Sequence, residues 1–445
     1  MDILSLTWLY ALVPLVLGLA LLAPLYVMLG LGMAFVMLPG SWYVGGVWLD
    51  PTDLVFAGIG LAFLVRRQER LAAFKHRVPY LGVWVALGIV ASIAYLSAPI
   101  NSPYLTDPFR IAYQLYRYTW KSLLYFPLSV MLLGDRRKLQ VILFVTLAAA
   151  DAAALQGISQ GYAGDLASGP FDTKNALGGV LVAPMVISIA GVMYPESTRR
   201  LVFYAVSTLL MARALLFSQS RGAQVAVFLG VGFLAYRLFT TAYGRSRIVR
   251  FIAWAAVLAV VVMTLKPNVL QSPDVQRLFS TSQGTEDDTM QWRMQERWPH
   301  FWKKVVDNPW FGVGTDVDPT LGDTGNTPHN GFLAIAVIEG VPALCLFLTL
   351  ILQGIRNGLL AFKRGADWWQ RVLGLTTAAA LIGTLVHNTD DATLLMPFIG
   401  NMVWMLTAVA VLSAKRYSIA APTVVPIGPA RKSQRSPLSP VAARP

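Results

Sequence analysis

One cysteine stands in the 445 residues, Cys345, so no intrachain disulfide can form and no cluster of thiolates can hold a metal. Charge is as scarce: Asp, Glu, Lys and Arg make up 13% of the chain, about half the ~25% usual in soluble domains. Histidine occurs four times. No Walker loop, no Gly-x-Ser-x-Gly elbow, no His-Glu-x-x-His and no Ser-His-Asp spacing is found, which weakens ATP-driven and protease readings. No repeat with a period of about 20 to 50 residues appears. What fills the chain is apolar: 56% of residues are Ala, Val, Ile, Leu, Met, Phe, Trp, Tyr or Cys. Such a composition belongs to a multipass membrane protein.

Apolar runs near the length that crosses about 30 Å of hydrocarbon as helix recur through the sequence. They fall at 52–65, 79–97, 118–133, 139–156, 176–194, 201–219, 222–240, 251–265, 331–353, 372–388 and 396–413. Residues 4–38 form a further run broken by Pro14, Pro24 and glycines. It is too long for one straight helix and short for two, so the total is about 12 or 13 spans. The start, Met1-Asp2-Ile3, lacks the basic region of a cleaved signal peptide, so the run is expected to stay attached. The expected fold is all-α and polytopic, with an integral membrane body over 1–418, one large loop over 266–330 and a Pro-, Ser- and Arg-rich tail over 419–445 expected to be disordered.

The net charge of +13, from 36 Lys and Arg against 23 Asp and Glu, is a topology signal. The loops around Arg66 to Arg77, Arg136 to Lys138, Arg199-Arg200, Arg237 to Arg250 and Arg356 to Arg371, with the tail from Lys415, hold about 24 basic and about 4 acidic residues. Short basic loops stay in the cytoplasm. The excess is spread over one side rather than gathered on a soluble domain, so nucleic-acid binding is unsupported and contact with anionic lipid is a minor role at most. Segments 98–117, 157–175, 218–222, 266–330 and 388–395 then lie on the extracytoplasmic face.

The polar groups of that face are where chemistry is expected. Arg221 lies in Ser218-Gln219-Ser220-Arg221-Gly222, a polar break between two spans. A guanidinium there is a planar fork suited to phosphate oxygens, although an arginine that merely snorkels to the interface would look the same. Arg213 lies eight residues earlier, where snorkelling or pairing is an equal alternative. Trp292 to Val306 reads as an amphipathic helix kinked at Pro299, bearing Arg293 and Arg297, with Trp292, Trp298, Phe301, Trp302 and nearby Trp310 as interfacial anchors. The large loop ends in Pro328-His329-Asn330-Gly331 before an apolar helix. Neutral imidazole accepts a proton at ordinary pH, and a helix N-terminus favours the neutral form. The alternative is a histidine that only caps the loop. His387-Asn388 and Asp390-Asp391 fall on the same face, but without local metal-ligand spacing, so no metal is expected. Gly312 and Gly314 make a tight turn and not a dinucleotide site, since no strand precedes them. Lys174-Asn175 opens a span as another outer contact, and Arg110, Arg117 and Lys121 add positive potential. Glu339, about three turns into its helix, is an acid at a depth where acids are usually paired or functional.

In order, Ser220-Arg221-Gly222, Arg293 to Trp298, Asn308-Pro309-Trp310-Phe311-Gly312-Val313-Gly314, His329-Asn330-Gly331-Phe332-Leu333 and Glu339-Gly340 resemble the O-antigen ligase family over about residues 218–345. The resemblance implies a glycosyltransferase of the all-helical, C-like type in the bacterial inner membrane, with its active site facing the periplasm. The donor would be a glycan on undecaprenyl diphosphate. The acceptor would be lipid A core for the ligases, and a protein or another glycan for relatives. No cofactor, nucleotide sugar or metal is implied. A departing diphosphate needs cationic stabilisation, which on this resemblance falls to Arg221 and Arg293, with Arg297 and Arg213 as helpers. His329 would position or deprotonate the acceptor hydroxyl, and Lys174, Asn330 and His387 would contact substrate. The N-terminal third matches no motif; acceptor choice could lie there or in 272–290. Rival readings are an O-antigen or exopolysaccharide polymerase, for which Arg221 and Gly232 supply an Arg-x10-Gly pattern, a protein O-oligosaccharyltransferase, and a secondary transporter or lipid flippase. Transport is disfavoured because the polar groups gather at one boundary instead of the midplane.

Overall fold

The computed structural model describes residues 14–16, 18–19, 21–35, 42–44, 47–49, 51–66, 77–101, 108–171, 173–241, 244–249, 251–252, 293–314 and 328–419. The expected span at 251–265, most of the loop 266–330 and the tail from 420 lie largely or wholly outside these. Among the described residues the fold is helical except for one small ribbon, β1 (Trp42–Val44) paired antiparallel with β2 (Val47–Leu49). The main helices are α1 (Leu25–Phe35), α2 (Pro51–Val65), α3 (Leu81–Asn101), α4 (Pro108–Gln114), α5 (Lys121–Leu123), α6 (Tyr125–Leu132), α7 (Arg136–Tyr162), α8 (Lys174–Met193), α9 (Thr198–Ser218), α10 (Arg221–Phe239), α11 (Trp298–Asp307), α12 (Gly331–Arg364), α13 (Trp368–His387) and α14 (Pro397–Ile419). Among the described residues six, α7 to α10, α12 and α13, are long and apolar enough to cross a membrane, and four shorter apolar stretches at 25–34, 51–65, 81–97 and 398–414 accompany them.

Helix starts follow side-chain chemistry. Asp135, Thr173, Ser197, Asn330 and Asp367 each accept a backbone N–H from the first turn that follows, the usual remedy for a helix's orphan donors. Between α9 and α10 only Gln219, left-handed at φ 53°, and Ser220 intervene, so the two form a tight hairpin. Small residues let backbones approach. Gly358 meets Gly374 and Ala378, Gly230 meets Ala379 and Gly383, and Gly178 meets Ala223 and Ser220. The apolar window of α8 is 83% buried and that of α13 is 72% buried, against 28% for α9 and 33% for α10. The first pair is therefore the core, and the second turns most of its surface outward, as a lipid-facing helix does.

The connections sort to two ends. At one, Arg136 pairs with Glu196, which also takes Arg200, Arg136 stacks on Trp369, and Arg237 and Arg247 stack on Phe362 and Tyr194. This is the end of the basic loops. At the other, α8, α10 and α12 begin and α13 ends.

Two elements depart from simple spans. The expected span at 118–133 contains a π-helical turn, Leu115–Trp120, before α5 and α6. Lys121 just beyond it is fully buried and lies 2.9 Å from Asp53 of α2, which also accepts from Tyr116 at 3.1 Å. Lys121 is thus neutralised by a partner and does not add the positive potential expected of it. The second departure is in α12. It has 34 residues, about 51 Å of helix, yet is broken at Gly340 (φ 87°), with Pro342 just beyond. Parallel packing aligns Phe347 with Trp404 and Gly354 with Thr407, so the start of α14 lies near the level of the break. The stretch 331–339 therefore cannot run straight on. It bends across the end of the bundle, where the Gly331 amide donates to the Asn388 carbonyl at 2.8 Å.

The Asn308 to Gly314 motif explains how the break is tolerated. Proline has no N–H for the carbonyl one turn back, and the left-handed Gly340 misdirects others. The amides of Val313 and Gly314 donate instead to the carbonyls of Val337 and Ile338, at 2.8 and 3.1 Å, and Val341 donates to Pro309 at 2.8 Å. Gly312 (φ 61°) and Gly340 are both required by close approach, since a Cβ on either would collide with the other segment's backbone. Phe301 and Val305 of α11 then pack with Val313 onto Ala336 and Val337.

Candidate functional site

The loop Asn388 to Ala392, after α13, is the hub of the end opposite the basic loops. Asn388 is fully buried and fixes the loop: its amide donates to Thr384, and its oxygen accepts from Thr393 and from the Leu394 amide. Two aspartates then face two of the expected site residues. Arg293 Nη1 donates to Asp390 Oδ1 at 2.9 Å and to the Asp390 carbonyl at 3.0 Å. His329 Nδ1 lies 3.4 Å from Asp391 Oδ1. His329 itself is left-handed at φ 48°, a conformation uncommon for a residue with a Cβ and one that recurs at functional positions. Burial pushes the Asp391 carboxyl up, but the His329 hydrogen bond, the charges of His387 and His329 and the Ala392 amide outweigh it and hold it below the ordinary carboxylate range.

Arg221 is the first residue of α10. A Cβ built on the next residue, Gly222, would lie 2.5 Å from Asp390 Oδ2, so glycine is what lets the Asp390 carboxylate rest against that turn. One of its oxygens meets Arg293 and the other meets the turn bearing Arg221. Asp390 thus holds Arg293 while it packs on the first turn of α10, next to the position of Arg221 in the chain. Arg297 is buried, and its guanidinium is pushed below its ordinary pKa by burial and then by the charge of Arg293. Arg293 and Arg297 lie on a π-helical turn, Arg293–Arg297, leading into α11. Pro299 sits in the first turn of that helix, where it starts a helix rather than kinking one. Trp298 Nε1 donates to the Pro328 carbonyl at 2.9 Å, tying this turn to the residue before His329.

The other expected residues are less exposed to a ligand. Asn330 caps α12, accepting from Phe332 and Leu333 at 3.0 Å, and donates to the Thr389 carbonyl at 3.1 Å. His387 is 1% exposed, packed on Gly179, with the backbones of Asn175 and Gly222 and the carboxylates of Asp390 and Asp391 as its electrostatic neighbours. It lies beneath the site. Lys174 opens α8 at the same end, partly buried. Arg213 stands apart, its guanidinium 3.7 Å from the Phe217 ring centre and 5.6 Å from that of Tyr162. Of the expected interfacial aromatics, Trp302 and Trp310 are exposed, but Phe301 is fully buried against α12. Sequence reasoning named Asp390 and Asp391 only as weak metal ligands. Their partners are 97 and 62 residues away in the chain, and no local spacing signals that.

Three helix N-termini, those of α8, α10 and α12, open at this end, and each carries partial positive charge. With the guanidinium groups they make a field that favours an anion, beside an imidazole whose Nδ1 is held by a carboxylate. The class is thus a multipass helical membrane protein that gathers guanidinium groups, helix N-termini and an imidazole beside a carboxylate at one end. Residues 206–348 match the family described as O-Antigen ligase. This is the family that the motifs over 218–345 resemble. No curated protein matches the chain.

Proposed function

We propose that the protein is a membrane glycosyltransferase of O-antigen ligase type. It moves a glycan from undecaprenyl diphosphate to an acceptor hydroxyl, lipid A core by preference, at the periplasmic face of the inner membrane. The observation that carries the reading is the pairing of consecutive aspartates with Arg293 and His329, with the helix turn that begins at Arg221 packed on Asp390. The Asp390 carboxylate sits where a phosphate of the donor would sit, and the donor exchanges with it for the arginine fork.

In the proposed step the acceptor oxygen attacks the anomeric carbon as its proton passes to His329. Asp391 accepts a hydrogen bond from Nδ1–H, which leaves Nε2 as the basic nitrogen. The bond from the anomeric carbon to the diphosphate oxygen breaks, its electron pair leaves on the diphosphate, and Arg221, Arg293 and Arg297 stabilise the charge that develops. One displacement inverts the anomeric centre. The arginines supply the cationic charge that a divalent metal would otherwise give. Relatives of the same chemistry, a polymerase or a protein O-oligosaccharyltransferase, use the same groups with a different acceptor.

The test is to incubate purified protein with an undecaprenyl diphosphate glycan and each acceptor class, with and without EDTA, and to weigh the products. Glycan on lipid A core supports the ligase. A longer lipid-linked chain selects the polymerase, glycan on protein selects the oligosaccharyltransferase, and inhibition by EDTA overturns the metal-free step.

A further inference from the structure

A second polar locus lies beside the break in α12, around Glu339, Thr119 and Ser122. We propose that the recess beside the break in α12 binds one small monovalent cation, Na+ or a proton, on the carboxylate of Glu339. Glu339 is 6% exposed and accepts one hydrogen bond, from Thr119 Oγ1 at 2.5 Å, a residue 220 positions away on the π-helical turn. Among the described residues no ion pair holds it. A carboxylate buried without a counter-charge is unfavourable, and a bound cation removes that penalty.

The surroundings suit a cation and little else. Glu339, Thr119 and Ser122 line a cavity of about 30 Å³ whose remaining wall is apolar, including Ile335, Phe347 and Trp404. That is enough for a water or a stripped ion, which need about 10–15 Å³, and far too little for a sugar. The Ser122 hydroxyl makes no hydrogen bond to the described residues and keeps its room only because residue 400 is glycine, where a Cβ would lie 2.7 Å from Ser122 Oγ. Glu339 is also the last residue before the break, so it stands at the C-terminal, negative end of the half-helix 331–339. Carbonyl ends of broken membrane helices are where transporters hold Na+ and protons. The ionisable groups on the elements packed here are Lys121 and Asp53, which pair with each other, Arg117 and Tyr116 on the π-helical turn, and Tyr95 of α3, which clusters with Ile338. The inference stands apart from the transfer reading, and its test reads stability rather than transfer.

The experiment follows thermal unfolding of the full-length protein in detergent, in NaCl against equal choline chloride, at pH 5 to 9. The parent, Glu339→Gln and Ser122→Ala are compared. A Na+ site predicts a midpoint that rises saturably with NaCl over choline in the parent, not at all in Glu339→Gln, and with at least about threefold weaker half-saturation in Ser122→Ala, a variant that keeps the carboxylate and the fold. A proton site predicts no Na+ effect and a parent midpoint that falls as pH rises, with that slope missing in Glu339→Gln. A parent indifferent to both, or a Glu339→Gln protein with the parent's dependence, overturns the proposal. If Glu339→Gln does not insert, a Ser122→Ala protein whose Na+ and pH responses equal the parent's overturns it as well.

Discussion

Asp391 Oδ1 faces His329 and also accepts the Ala392 amide at 2.8 Å, so one oxygen orients the imidazole and fixes the loop that carries the aspartate. The consequence for acid stability has a definite sign. Its carboxyl is held below the ordinary range when folded, so the contribution is fully present above the unfolded value of about 3.9 and is lost as pH falls through the lower folded value. Asp391→Asn should therefore be less stable than the parent at pH 6, with the difference shrinking below about pH 4. Thermal scans at pH 3 to 7 check this, and a gap that widens in acid would refute it. The neighbouring aspartate was legible in the sequence as a residue but not as a role. Arg293 and Asp390 meet only because the turn before α11 is fastened to α12, and nothing in a local window of sequence states that.

Among the elements, the break in α12 governs the site. The run 331–353 reads in sequence as one uninterrupted span, and the only local signal against that is the Gly340-Val341-Pro342 triplet. The motif that answers the break, Asn308 to Gly314, was legible as a tight turn, while its docking onto the carbonyls of Val337 and Ile338 was not, because backbone pairing leaves no side-chain pattern. Gly340→Ala places a Cβ at φ 87° against the Trp310 carbonyl. It should cost at least about 1–2 kcal/mol from the left-handed backbone alone and loosen α11 from α12, lowering both the unfolding midpoint and transfer. Gly232, in the Arg-x10-Gly pattern, has nothing within 4 Å of its Cβ position. Gly232→Ala should be neutral or stabilising by up to ~1 kcal/mol with transfer unchanged; loss of transfer there would favour the polymerase reading. The buried pair of Asp53 and Lys121 gives a third test. Lys121→Met alone strands a buried carboxylate and should cost about 3–5 kcal/mol, whereas adding Asp53→Leu should recover most of it. Equal losses in the single and double variants, by denaturation in detergent, would contradict that.

Over the whole molecule, the six helices long and apolar enough to cross a membrane among the described residues, of 12 or 13 spans expected, were legible because about 20 apolar residues leave a chain few options other than a membrane helix. The helices α7 to α10, α13 and α14 fall within a few residues of the expected runs. The run 118–133 was less so, since Lys121 and Pro127 interrupt it and its continuity rests on the Asp53 partner in α2. The separation of basic loops from the site end agrees with the charge pattern, and which end meets the periplasm is open to direct measurement. In a Cys345→Ser background, Asp165→Cys at the site end should react with an impermeant thiol reagent on intact spheroplasts, and Thr198→Cys at the basic end only after permeabilisation. The reverse pattern would put the site in the cytoplasm and remove a lipid-linked periplasmic donor from the account. The most direct measurement of the central claim is the transfer rate of inserted, folded His329→Ala and Arg293→Lys proteins on an undecaprenyl diphosphate glycan. The account predicts a loss on the order of 10²–10⁴-fold for the first, which lacks the base, and a marked loss for the second, which keeps the charge without the fork. Transfer at the parent rate in both would contradict it.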